Sequence, residues 1–289
     1  MRIDTATQVV GVIGWPIEHS LSPAMHNAAL AEMGLNWVYL AFAVQPEEVG
    51  DAVAAVRGLS LMGLNVTIPH KQAVVRHLDE LDDTAAALGA VNTIVRDGSR
   101  LIGHNTDGPG LLRSLAERGH AVSGKRVAII GAGGASRSVA YAVARAGARS
   151  IRVLNRTAER AEEVARLAAD QGGAREVEAG GLTGAWAQAA VQEADLVVDA
   201  TPVGMYPNGK AGPVVPGQWL REEQVVVDLT YNPLHTTMLQ AASAQGAQTV
   251  DGAGMLVHQG AIALEYWTGQ RAPVETMRRA LLAELQGHR

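Results

Sequence analysis

Short runs of β-branched and aliphatic residues alternate with alanine-rich stretches of helical period along almost the whole chain, and this alternation is what most limits the fold. Strands separated by a helix-length segment pair in parallel, and a parallel sheet is stable only when helices cover both faces. The expectation is therefore an α/β architecture with mostly parallel sheet. Residues 9–13, 38–43 and 64–68 read as strands, the last stopped by Pro69, and residues 22–33 and 47–57 read as helices, with Pro23 placed in a first turn. A second series starts at Lys125: strand and glycine turn in RVAIIGAGG, helix over 136–146, strand over 150–155 and helix over 158–170. Strands follow at 196–200 and 225–229, residues 171–181 read as an irregular connection, and a helical tail spans roughly 254–286. With 289 residues and about 150 per domain, two domains are expected, with a boundary in the 107–124 region.

Composition removes several classes of function. Charged residues are 18% of the chain and the net charge is −5 with no long run of either sign, which disfavours a nucleic-acid partner. The chain has no cysteine, so disulfides, thiolate catalysis and the usual structural zinc sites are excluded. Its nine histidines form no HExxH pair or ligand-spaced cluster, so no metal is expected. No uninterrupted apolar stretch reaches membrane-spanning length and the start has no signal-peptide pattern, so a cytoplasmic protein without membrane partners is expected.

GAGGASR at 131–137 follows an apolar strand and opens a helix, the context in which a glycine turn binds a dinucleotide. Gly131 permits the tight turn, and Gly133 lets backbone N–H groups approach a pyrophosphate at the helix N-terminus. Ser136 stands where a third glycine would be. The next strand ends in NRTAER, with no acid to accept from a ribose 2′-hydroxyl. Asn155, Arg156, Thr157 and Arg160 instead offer donors and cations to a 2′-phosphate, which selects NADP over NAD; two solvated arginines are the plainer alternative.

Polar clusters occur at other strand ends. Ser20 and Ser22 sit at a helix start, where Ser22 on its own reads as the N-cap. Asn65 and Thr67 share one side of a strand, Lys71 follows Pro69, and Asn92 and Asp107 repeat the arrangement. Taken singly, Lys71 reads as a solvated lysine and Asp107 as a turn residue before glycine.

The blocks HSLSPAMHN (19–27), NVTIPHK (65–71), GAVNTI (89–94), GHNTDG (103–108), GAGGASR, NRTAER, ATPVGMYP (200–207), DLTYNPLHT (228–236) and DGAGMLVHQGA (251–261) together resemble the shikimate dehydrogenase family. Every block is in family order, from about residue 9 to about residue 269. The resemblance implies a two-domain α/β protein. Its substrate-binding domain would comprise residues 1–107 and 252–289, and its doubly wound, Rossmann-type NADP-binding domain residues 108–251. It implies NADP-dependent, reversible reduction of 3-dehydroshikimate to shikimate, with Lys71 and Asp107 as the catalytic pair.

Ser20, Ser22 and Thr67 then match residues near the substrate carboxylate, Asn65, Asn92, Asp107 and Gln259 those holding ring hydroxyls, and Tyr231 a further substrate-side residue. On the cofactor side the matches are Gly131, Ala132, Gly133, Gly134 and Ala135, then Asn155, Arg156, Thr157 and Arg160. Thr201, Pro202, Val203, Gly204 and Met205 match a loop near ribose and nicotinamide, and Leu229, Gly252 and Met255 belong to blocks that meet the cofactor. Two alternatives stay open at this point: a quinate/shikimate dehydrogenase taking quinate and NAD, and a non-catalytic NADP-binding sensor. Oligomeric state is also open, with a homodimer as one option.

Overall fold

A computed structural model describes residues 3–206 and 211–287. The chain divides into two compact units, Met1–Thr106 with Val257–Arg289, and Asp107–Leu256. In chain order the elements are β1 (Gln8–Gly14), α1 (Ser22–Glu32), β2 (Trp37–Ala43), α2 (Val49–Gly58), β3 (Gly63–Val66), β4 (Glu80–Leu81), α3 (Asp83–Leu88), β5 (Thr93–Asp97) and β6 (Arg100–His104). They continue with α4 (Asp107–Glu117), β7 (Arg126–Ile130), α5 (Gly134–Arg145), β8 (Ser150–Leu154), α6 (Ala158–Asp170), β9 (Val177–Gly180) and α7 (Gly184–Gln192). Last come β10 (Leu196–Asp199), β11 (Val225–Asp228), α8 (Thr237–Ala244), β12 (Gln248–Val250), α9 (Gly252–Thr268) and α10 (Val274–Gly287). The division between the units falls inside α9.

The first unit carries a six-stranded sheet in the order β2-β1-β3-β5-β6-β4. It is mixed rather than nearly all parallel. β3 pairs antiparallel with β5 and β5 with β6, because 97–100 (Asp-Gly-Ser-Arg) is a two-residue hairpin turn with Gly98 at φ 61°. β3 is followed by a turn and a short 3₁₀ segment, Val75–His77. One face is closed by valines of α2 (Val49, Val53, Val56) packed on Ile13, Leu64, Val66 and Ile94. On the other, α1 and α9 bring His26 and Trp267 against Tyr39 of β2. Gly63 is essential to that packing. A Cβ there would lie 2.2 Å from both the Trp267 indole nitrogen and the Ile94 carbonyl oxygen, which are bonded to each other at 3.0 Å.

The second unit is a six-stranded parallel sheet in the order β12-β11-β10-β7-β8-β9, the doubly wound Rossmann-type arrangement whose winding reverses between β7 and β10. Its central strands read as continuous apolar runs because both faces are covered. α4, α5 and α6 pack Leu111, Leu115, Val139, Val143 and Val164 on one side. α7 and α8 pack Ala187, Ala190, Val191, Met238 and Leu239 on the other. At roughly 1.5–3 kcal/mol per buried Val, Leu or Ile side chain, these two layers hold the sheet edge in place.

The structure corrects the reading of 171–181 as irregular. Val177–Gly180 forms β9, the edge strand beside β8, and its half-exposed VEAG sequence carries too little apolar pattern to announce a strand. The helical tail is two helices, divided where Gly269 takes φ 68° and Pro273 removes a backbone donor. Gly108 and Gly254 serve close packing. A Cβ at Gly108 would meet Ala142 Cβ at 2.6 Å, and one at Gly254 would meet Ser114 Oγ at 2.2 Å.

Candidate functional site

In the first unit the polar positions at the strand ends form a connected set of side chains. Asn65, at the third position of β3 and 6% exposed, accepts the Tyr39 phenolic proton on Oδ1 at 2.8 Å. Its Nδ2 donates to the Asn92 carbonyl at 3.2 Å and to Thr93 Oγ1 at 3.1 Å. Asn92, just before β5, donates to Thr106 Oγ1 at 2.9 Å and to Gln259 Oε1 of α9 at 3.4 Å, and its Oδ1 accepts from the Thr106 backbone at 2.8 Å. Five separate segments thus meet through these side chains, satisfying buried polar atoms of one another.

The remaining residues of this set lie at neighbouring positions along the same unit. Thr67 follows β3, its N–H donating to the Ile13 carbonyl at 3.0 Å, and Gly14 makes room for its methyl group. Lys71 is half-buried in the turn beyond, which is fixed at two points. The buried His70 donates Nε2–H to the Val44 carbonyl at 2.8 Å, and the Lys71 carbonyl accepts from the Val91 N–H at 2.8 Å. Ser20 and Ser22 are half-buried where α1 begins. The reading of Ser22 as the N-cap is corrected: Leu21 holds the cap position without a side-chain cap, Ser22 is the first helical residue, and Ser20 Oγ accepts its N–H at 3.4 Å. That leaves the Ser22 hydroxyl without a capping role, close to the Tyr39 phenol.

Asp107 opens α4 in the second unit, 7% exposed, where the helix N-terminus favours a carboxylate. It follows directly on Thr106, so the backbone holds it one residue from the Asn92 network, consecutive Cα atoms being about 3.8 Å apart.

The C-terminal edge of the second sheet carries the cofactor candidates. Gly131, just after β7, takes φ 108°, and a Cβ there would press on the Ala200 backbone at 3.2 Å. Gly133 and Gly134 are exposed, with no atom within 4 Å of where a Cβ would sit, while Ala132 and Ala135 beside them are half-buried. The twelve-residue α5 starts there with neither a side-chain cap nor an acid in its first turn, so its N–H groups remain available. Two buried atoms of that turn, Ser136 Oγ and Arg137 Nε, have no hydrogen-bond partner. This cradle of donors fits a pyrophosphate. After β8, Asn155 Nδ2 ties the turn by donating to the Thr157 carbonyl at 2.9 Å, and Arg156, Thr157 and Arg160 are exposed at the start of α6. The absence of an acid among residues 155–157 suits a further phosphate.

After β10, Thr201 N–H donates to Asp199 Oδ1 at 2.9 Å and Val203 N–H to Thr201 Oγ1 at 3.2 Å, shaping a loop with Pro202 and Met205 exposed and Gly204 at φ 84°. Pro207 of the ATPVGMYP block lies outside the described residues. Half-buried Leu229 follows β11, its N–H donating to the Asp199 carbonyl at 2.9 Å, and Tyr231 is half-buried nearby in sequence, its phenol pushed up by burial. Gly252 opens α9 so close to the Leu229 carbonyl that a Cβ would stand 2.3 Å from its oxygen, and Met255 is buried one turn on.

Sequence reasoning passed over one feature of this edge. Asp199 and Asp228 are register partners at the ends of β10 and β11, and both are fully buried. Asp228 accepts from Thr236 Oγ1 at 2.5 Å and from the Thr230 N–H at 2.8 Å, whereas Asp199 Oδ2 has no partner. Burial, and then the Asp228 charge, push the Asp199 carboxyl up to about 7. An acid at the end of an apolar strand reads as its polar terminus, so only the strand pairing reveals the couple. Among the described residues no helix is long and apolar enough to cross a membrane, and no group of three or more histidines and acids could hold a metal.

Three family models match the chain: the shikimate dehydrogenase substrate binding domain over residues 12–94, shikimate/quinate 5-dehydrogenase over 114–230, and the shikimate 5′-dehydrogenase C-terminal domain over 252–282. The shikimate dehydrogenase (NADP⁺) of Methanopyrus kandleri is 50% identical over 99% of both chains. The chain belongs to the shikimate dehydrogenase family. A solved shikimate dehydrogenase in complex with NADP⁺ is 42% identical, with TM-score 0.92 over 98% of each chain. A family member from Listeria monocytogenes, solved with shikimate and NAD, is 38% identical with TM-score 0.92, covering 97% of this chain and 98% of its own.

Proposed function

We propose that this chain is an NADP-dependent oxidoreductase that interconverts 3-dehydroshikimate and shikimate in the shikimate pathway to aromatic amino acids, with Lys71 and Asp107 as its acid–base pair. The observation that carries this reading is the buried Asn65–Asn92–Gln259 network. It offers fixed amide groups to a small polyhydroxylated ring, in a chain whose other unit ends its strands in an anion cradle. Family membership, and relatives bound to shikimate and to NADP⁺, support the same substrate and cofactor.

Bound NADPH would supply the hydride that reduces the ketone carbon. The Lys71 ammonium stabilises the developing negative charge on the carbonyl oxygen and gives it a proton, and in the oxidative direction the lysine–aspartate pair takes that proton back. Asp107 orients the ammonium and accepts from a ring hydroxyl. Asn65, Asn92 and Gln259 hold the ring hydroxyls, Ser20, Ser22 and Thr67 receive the carboxylate, and Tyr231 contributes on the substrate side. Residues 131–135 hold the pyrophosphate, Asn155, Arg156, Thr157 and Arg160 the 2′-phosphate, and residues 201–205 with Leu229, Gly252 and Met255 the ribose and nicotinamide. Cytoplasmic operation, with a homodimer as the assembly to test, completes the proposal.

The experiment is a spectrophotometric assay of the purified protein with shikimate and quinate, each with NADP⁺ and NAD⁺. Shikimate-dependent reduction of NADP⁺ is expected to exceed the other three combinations. No activity with any pair would overturn the enzymatic reading, and a preference for quinate with NAD⁺ would replace it by the quinate reading.

A further inference from the structure

Tyr39 belongs to no motif, yet it stands between two of the proposed substrate residues. Its phenol donates to Asn65 Oδ1 at 2.8 Å, with the Ser22 hydroxyl close by. A phenol has one proton, and this one goes to an amide oxygen, which can only accept.

The amide is equally constrained on its other side. Both Nδ2 protons are committed, one to the Asn92 carbonyl at 3.2 Å and one to Thr93 Oγ1 at 3.1 Å, and the carbonyl would repel an oxygen placed there. What remains is one lone pair on Asn65 Oδ1. The ring that enforces this is itself immobilised: 1% exposed, stacked face to face on His26 with centroids 4.2 Å apart and planes 3° apart, and flanked by Trp267 at 6.1 Å. His26 is fully buried with neither nitrogen bonded, and burial alone lowers it to about 3, so the stack carries no charge that would disturb the phenol. Burial also pushes the Tyr39 phenol up, so it keeps its proton throughout the working pH range.

We propose that Tyr39 is a positioning residue for substrate selection: by donating to Asn65 Oδ1 it fixes that amide as a pure hydrogen-bond acceptor, so the subsite takes a ring hydroxyl that donates. The role rests on the proposed reaction, because Asn65 is assigned to the substrate there.

The test is steady-state kinetics of Tyr39→Phe, which keeps the ring and its stack on His26, with shikimate and with analogues each lacking one ring hydroxyl. The expected result is a rise in KM for shikimate of about tenfold with kcat within about twofold, the size of one lost hydrogen bond. The rise should vanish for the one analogue that lacks the hydroxyl read by Asn65. Incorporation of 3-fluorotyrosine at position 39, a stronger donor of nearly the same volume, should lower KM and covers the case in which the phenylalanine variant folds poorly. An unchanged KM in both proteins, an equal rise for every analogue, or a fall confined to kcat overturns the role. If the unaltered protein fails to oxidise shikimate, the proposed reaction is overturned as well, and that failure is seen before any variant is compared.

Discussion

The two units prepare their proposed ligand positions by opposite means. In the first, Asn65, Asn92 and Gln259 are linked through hydrogen bonds, with the amide donors of Asn65 and Asn92 committed before any ligand arrives. In the second, the positions after β7 and β8 are open backbone and exposed cations: Gly133 and Gly134 with empty space above them, and Arg156 and Arg160 in solvent. A ring hydroxyl is distinguished only by where its proton points, so the groups that read it have to be rigid and directional. A phosphate is recognised mainly by charge and by several N–H donors, which a helix N-terminus and a glycine turn supply without side chains.

The largest expected effect breaks the proposed chemistry while leaving both recognition surfaces intact. Lys71→Ala should lower kcat for shikimate oxidation by roughly 10²–10⁴ with a smaller change in KM. A decrease under about tenfold would reassign the lysine to binding.

Next in size is a stability effect that sharpens the contrast, because the second sheet edge also contains buried acids. The Asp199 carboxyl ionises near 3.8 in the unfolded chain and near 7 in the folded one. Its contribution to stability is complete below about pH 4, is lost as the pH rises toward 7, and is constant above that. Asp199→Asn removes this dependence, so between pH 4 and 8 it should gain roughly 2–4 kcal/mol relative to the unaltered protein. Thermal melting across that range measures it, and parallel pH profiles for the two proteins would show that Asp199 does not carry the proton.

The smallest effect tests the charge-based surface alone. Arg156→Ala should reduce the preference for NADP⁺ over NAD⁺ by about tenfold or more with the KM for shikimate unchanged. An unaltered preference would leave the arginine a solvated surface residue.

The same contrast explains what could be read from the sequence. GAGGASR and NRTAER are legible because their work is local: turn, helix start and cations are contiguous, and the following strand confirms the context. Asn65, Asn92 and Gln259 can be singled out by resemblance, but their bonds to one another span up to 167 residues and follow only from the sheet register and the docking of α9. Tyr39 is invisible for the same reason, since an aromatic in a strand reads as core until its hydroxyl is seen to have a partner 26 residues away. The β5–β6 hairpin and β9 were lost to weak patterns, a short turn around Gly98 and a half-exposed edge strand.

The link between Asn92 and Gln259 also bears on how the protein is made. Residues 65 and 92 leave the ribosome early, and residue 259 emerges only after the whole of the intervening unit, 107–256, has been synthesised. The proposed substrate receptor is therefore finished last, after the sheet proposed to face the nucleotide has been synthesised.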